Sequence, residues 1–232
     1  IQMITLFTKG KVLALVALTM IGLYSAPIAL SSNKKNQKST QSSTNQGKKP
    51  KMVVTPAGWV PPVESKDKNY PVYVISVKQG GTNLGDIYIE LFTDIAPKHA
   101  ANFDELVGKQ FFDGTAFHRV IPNFMIQGGD PNSRSGDPNT WGMGDPNQKR
   151  VPAEFSKIAH KRGIISAARS QDPNSASSQF FICVADSPWL DGQYSVYGQV
   201  LSGMDVADKI VNAKRNSSDR PDVKIEMTVR KM

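Results

Sequence analysis

Residues 117–129 read Phe117-His118-Arg119-Val120-Ile121-Pro122-Asn123-Phe124-Met125-Ile126-Gln127-Gly128-Gly129. Two short strands are expected here, Ala116 to Val120 and Phe124 to Gly128. Side chains alternate along a strand, so Met125 and Gln127 share one face. Arg119 places a permanently charged guanidinium a short distance before an apolar platform, Phe124 and Met125, and an uncharged amide, Gln127.

Further strands flank this pair. Val72 to Val77 and Gly85 to Leu91 read as a hairpin joined by a Gly-Gly-Thr-Asn turn. Gly163 to Ala168, Gln179 to Val184, Val196 to Val200 and Glu226 to Lys231 complete a set of eight. After Ala96-Pro97, the residues Ala100, Phe103, Leu106 and Val107 recur at helical spacing, with Gly108 as a stop. A second helix is expected from Met204 to Ala213, after Ser202-Gly203. Parallel strands need a helix at nearly every crossover, so eight strands with two helices predict a mainly β chain closed into an antiparallel barrel. Four Asp-Pro-Asn triplets, starting at Asp130, Asp137, Asp145 and Asp172, read as turns; proline after aspartate and the oxygen spacing both argue against calcium loops.

The formal charge of +8 belongs to one end of the chain. Eight of the 28 Lys and Arg lie in residues 1–63, which contain no arginine and no acidic residue, leaving 20 basic groups against 20 acidic ones. A neutral folded part gives no basic groove for phosphates, so no nucleic-acid partner is expected. Without coiled-coil heptads it is read as a monomer. The lone Cys183 sits in an apolar run and reads as core. His99, His118 and His160 are scattered, with no zinc-ligand spacing, so neither metal nor cofactor is expected.

Lys9 and Lys11 precede an uncharged stretch, Val12 to Leu30, with small residues near its end and a cleavage site at Ala29-Leu30-Ser31. Residues 1–31 are read as a signal peptide, with an uncleaved membrane anchor through residues 12–30 as the alternative. The protein is therefore expected outside the cytoplasm, periplasmic or extracellular. Residues 32–69 are read as a disordered Lys/Ser/Pro-rich linker, within which Val53 to Pro62 either lies along the domain or continues the tether. Order is expected from Tyr70, giving a domain over 70–232.

A second block, Ser178-Gln179-Phe180-Phe181-Ile182-Cys183, follows about fifty residues after the first. Together the two blocks resemble the signature of the cyclophilin family of peptidyl-prolyl cis-trans isomerases, over roughly residues 70–232. The resemblance implies an eight-stranded antiparallel barrel with a helix at either end, and proline-containing peptides and unfolded proteins as partners. It also implies that Phe124, Met125, Phe181 and Leu190 form a proline pocket, while Gln127 and the backbone at Arg169 hold the flanking peptide. Ser187 to Tyr194 resembles the family's rim, including Trp189, the tryptophan associated with cyclosporin, so that inhibitor is expected to bind. Where many members carry histidine this chain has Tyr194, so the rim lacks an imidazole. Ala168 to Ser175 departs from the eukaryotic loop, and Arg169 is expected to alter which neighbours of proline are accepted. The 139–152 loop looks bacterial in style, and its length and glycines suggest mobility.

The chemistry fits the residues. An X-Pro bond turns over a barrier of about 18–20 kcal/mol set by partial double-bond character, and no covalent bond has to be made. Arg119 can donate to the imide nitrogen as it loses planarity, and a guanidinium stays charged over the useful pH range. Arg119 and Gln127 are thus the candidate catalytic residues, and Phe124, Met125, Ala168, Arg169, Gln179, Phe181, Trp189, Leu190 and Tyr194 the candidate binding residues. His118 is expected to face away from Arg119 and make a structural hydrogen bond, and His99 to face solvent. Two other function classes compete: a module that only binds proline peptides, and a tether working through the lysine tail on an envelope or nucleic acid.

Overall fold

The computed structural model describes residues 58–65 and 68–232. The leader and most of the linker lie outside them. Eight strands form one sheet: β1 (Val72–Gln79), β2 (Thr82–Leu91), β3 (Phe117–Ile121), β4 (Met125–Gly128), β5 (Ile164–Ala167), β6 (Phe180–Cys183), β7 (Val196–Ser202) and β8 (Ile225–Lys231). All eight lie where they are expected, with β2 starting three residues early because Thr82 and Asn83 continue the ladder to β1 rather than turning. The helices are α1 (Pro97–Gly108) and α2 (Met204–Val211).

Neighbouring strands run in the order β3-β4-β6-β5-β7-β2-β1-β8, all pairs antiparallel. The two ends of that order meet. Ala116 bridges Glu226, Met227 N–H donates to Thr115 O at 2.9 Å, and Gly114 N–H donates to Met227 O at 2.9 Å. The ladder is thin at this seam, so the barrel is nearly rather than fully closed.

Alternation builds two apolar regions from the same strands. Ile126, Phe180 and Ile182 face the barrel core with Tyr73, Ile75, Ile89 and Phe103. Met125, Phe181 and Cys183 point the other way and form a separate cluster with Leu190. Strands β4 and β6 are therefore apolar on both faces, and the outward face becomes the floor of the site. Burial pushes the Cys183 thiol up to about 12, so it is a packing group and not a nucleophile.

Helix α1 has no side-chain cap of its own at Ala96. Glu154, far along the chain, takes that role: its two carboxylate oxygens accept from Lys98 N–H and His99 N–H, each at 3.0 Å. The same carboxylate meets His99 Nδ1 at 2.7 Å, and His99 is buried against Tyr197. His99 is thus not the solvent-facing residue its helical position suggested, because the 150s segment crosses the start of α1. Glycine opens α2 at Gly203, with φ +94° and Asp86 O against the position a Cβ would take.

Order begins before Tyr70. Trp59 donates from Nε1 to Val200 O at 3.3 Å and packs on the main core. Val63 exchanges two hydrogen bonds with the side chain of Gln199, at 2.8 and 2.7 Å. Gly163, at φ +89°, leaves room for the indole: a Cβ there would lie 2.5 Å from the ring. The end of the segment read as a disordered linker is therefore a strap laid on the domain. All four Asp-Pro-Asn triplets are turns in which the aspartate accepts from the N–H of the asparagine, at 2.8–3.2 Å.

Candidate active site

Strand pairing sets the site. Arg119 on β3 lies opposite Gln127 on β4, which lies opposite Phe181 on β6, and in the next row Ile121, Met125 and Cys183 stand in register. Arg119 Nη1 donates to Gln127 Oε1 at 3.5 Å, a long contact. Gln127 Nε2 then donates to Gln179 Oε1 at 3.0 Å, and Gln179 Nε2 to Gly142 O at 3.1 Å. This relay leaves each amide oriented and the guanidinium at the open end.

The row sits at a pocket of about 470 Å³. Phe124, Met125, Phe181, Leu190 and Tyr194 supply its apolar part, with Ala168 and Arg169 beside them. Tyr194 meets Phe181 edge-on at 5.7 Å. Beneath them His160 stacks on Phe181 at 6.2 Å, with Nδ1 2.9 Å from Asp191 Oδ1 and Nε2 3.1 Å from Ser166 Oγ. With both ring nitrogens engaged, His160 is a rigid shelf under the pocket. Arg169 lies over the Tyr194 ring at 4.4 Å and donates to Gln193 O from Nε and Nη2 at 3.1 and 2.9 Å.

Two expected residues stand just outside. Trp189 is exposed and packs on Phe124, ring centroids 5.6 Å apart, while Gln179 lines an adjoining groove of about 160 Å³. The other expected residues are brought together at the pocket itself.

A match to the model of cyclophilin type peptidyl-prolyl cis-trans isomerases spans residues 74–231. The chain belongs to the cyclophilin family. It is a peptidyl-prolyl cis-trans isomerase. A Brucella suis relative named "Probable peptidyl-prolyl cis-trans isomerase" is 47% identical over 152 residues, 62% of this chain and 78% of its own length. A Schizosaccharomyces pombe peptidyl-prolyl cis-trans isomerase is 44% identical over 140 residues, covering 60% of this cyclophilin and 88% of the yeast protein. A crystal structure of a Cryptosporidium parvum cyclophilin type isomerase superposes with a TM-score of 0.62 at 28% identity, covering 70% of this chain and 98% of that one. A second structure of that protein, determined in the presence of the dipeptide Ala-Pro, gives 0.61 at 29% identity over 69% and 98%.

Several pocket residues of this cyclophilin are not signalled by its sequence motifs. His118 lines the pocket because β3 bulges there: Phe117 pairs with Gly128 and Arg119 with Gln127, so two steps on one strand match one on the other. Neither ring nitrogen of His118 has a hydrogen-bond partner of good geometry among the described residues, the Ala116 backbone being the polar group beside the ring, so the structural hydrogen bond expected of it is at most a weak one. Burial holds the His118 imidazole below its ordinary value, despite the neighbouring Asp130. Across the pocket, Trp141, Pro138, Ser218 and Arg220 form a further wall. Gly142 N–H donates to buried Asp130, which pins the 139–142 stretch to the barrel. That part of the loop is a wall of the site. The wall joins segments some eighty residues apart, through Arg220 Nη1 donating to Pro138 O at 2.6 Å and the guanidinium lying 6.0 Å from the Trp141 ring.

Proposed function

We propose that Arg119 drives the isomerisation, that the Phe124, Met125, Phe181 and Leu190 surface clasps the proline ring, and that the clients are unfolded proteins beyond the cytoplasmic membrane. The observation that carries the reading is the row Arg119–Gln127–Phe181, which sets a cation, an amide and an apolar wall side by side on one face. As the X-Pro bond twists, its nitrogen becomes pyramidal and gains a free lone pair; the guanidinium donates to it. Gln127, held by Gln179, hydrogen-bonds the neighbouring peptide group. The interaction is stronger in the twisted state than in either planar isomer, so it lowers the barrier. Each tenfold in rate needs about 1.4 kcal/mol, within reach of one well-aimed charged donor in a partly dry pocket. No bond is made or broken.

Trp189, beside Phe124 on the rim, supports cyclosporin as an inhibitor. The basic start and apolar 12–30 stretch support export, either with a cleaved leader or with membrane attachment. The Ala-Pro dipeptide used with the Cryptosporidium relative supports proline peptides as ligands here. The deciding experiment is exchange spectroscopy of a short X-Pro peptide with wild type and Arg119→Ala. Catalysis should fall by about 100-fold or more, on the scale of losing one transition-state donor, while peptide binding persists. Equal exchange rates in the two proteins would remove Arg119 from the mechanism. Cell fractionation should place the enzyme outside the cytoplasm; recovery in the cytosolic fraction alone would end the export reading.

A further inference from the structure

The chain's eight arginines divide into two groups. Arg162, Arg215 and Arg230 are paired with Asp208, Asp219 and Asp113. Arg119, Arg169 and Arg220 line the pocket and Arg150 the adjoining groove, and among the described residues none of these four has a carboxylate partner. Only Arg134, held by the carbonyls of Phe111 and Asp113, is unpaired elsewhere.

The donors at the pocket go to neutral acceptors, which orient a guanidinium without cancelling its charge. Among the described residues no Asp or Glu lines the pocket. Asp219 is paired with Arg215, while Asp130, Asp137 and Asp172 keep their charge but accept backbone N–H groups and do not line the pocket. From Glu64 onward the chain has equal numbers of basic and acidic groups, so this positive mouth is a local segregation within a balanced domain.

Arg220 is the cation best placed to receive a ligand without taking part in the isomerisation. Its Nη1 is held by Pro138 O and its guanidinium lies over the ring of Trp141, whose own Nε1 donates to Gly136 O at 3.1 Å. Its Nε and Nη2 make no hydrogen bond among the described residues. An aromatic face beside a half-satisfied guanidinium suits a short aliphatic stem ending in a carboxylate.

We infer that this cyclophilin favours prolines flanked by aspartate or glutamate, the acidic side chain being received by Arg220 at the Trp141 wall. The inference rests on the Arg119 pocket being the isomerase site. It is tested with the full chain and short peptides carrying Glu, Ala or Lys on either side of one proline, isomerisation being followed by exchange spectroscopy at low salt. At one of the two positions kcat/KM for Glu over Lys should be about tenfold, and high salt should shrink the ratio. Arg220→Ala should bring the ratio towards one, and Arg220→Glu should invert it, each variant being checked for a wild-type melting profile. A wild-type ratio of one, or a ratio that survives Arg220→Glu, overturns the inference and leaves the isomerase reading intact. If no peptide exchanges faster with wild type than without it, the isomerase reading itself fails.

Discussion

At the residue scale, Arg119 and its row were legible because a β pair displays alternate residues, and two short motifs fixed which residues those were. His118 was misread for a local reason: a bulge breaks alternation, and nothing in Phe117-His118-Arg119 announces one. Trp141 and Arg220 were invisible singly, since each acquires meaning only from a partner some eighty residues away. The histidines bear on pH. His99, His118 and His160 are all held below their ordinary value, burial being the largest cause in each. Burial thus favours the neutral form of the imidazole at the pocket, and kcat/KM should show no step at the ordinary imidazole value of about 6.5. A sigmoid centred near pH 6.5 in peptide exchange would show that an imidazole takes part after all.

At the element scale, the strands and helices followed from periodicity and stop residues, whereas their ends depended on distant groups. Helix α1 shows this. Its first turn contains no capping side chain, and Glu154 supplies the acceptor from a loop that sequence reading assigned no role. Glu154→Ala should cost about 1–2 kcal/mol of stability, since two backbone donors and His99 lose their partner together. Denaturant unfolding would measure this, and a change within about 0.3 kcal/mol would mean that water replaces the carboxylate freely. Peptide exchange by the folded variant should change little, because none of Glu154, Lys98 and His99 lines the pocket.

For the whole molecule, the barrel was predictable from the number of strands and the scarcity of helices, but not its thin seam or the strap. The same three histidines link stability to acid. Their folded values lie below the unfolded value of about 6.5, so the unfolded chain binds more protons in that interval. Stability is complete above about pH 6.5 and is lost as pH falls below it, towards the folded values. Melting temperature should be level from pH 8 to 7 and decline towards pH 5; a level profile to pH 5 would contradict the burial of these rings. Trp59→Ala should cost about 2 kcal/mol, a half-buried indole leaving an unfilled slot, and a melting temperature equal to wild type would show that the strap contributes nothing.

The seat of Trp59 also has a mechanical meaning. Among the described residues the chain first meets the barrel at this indole, pegged to β7 through Val200, and not at the free end of β1. A pull from the amino-terminal side loads the peg and spares the hairpin. Cutting the chain at Tyr70 would take the peg away, leave Gln199, which also donates to Glu90, without the backbone of Val63, and open an apolar slot for a neighbouring molecule's side chain.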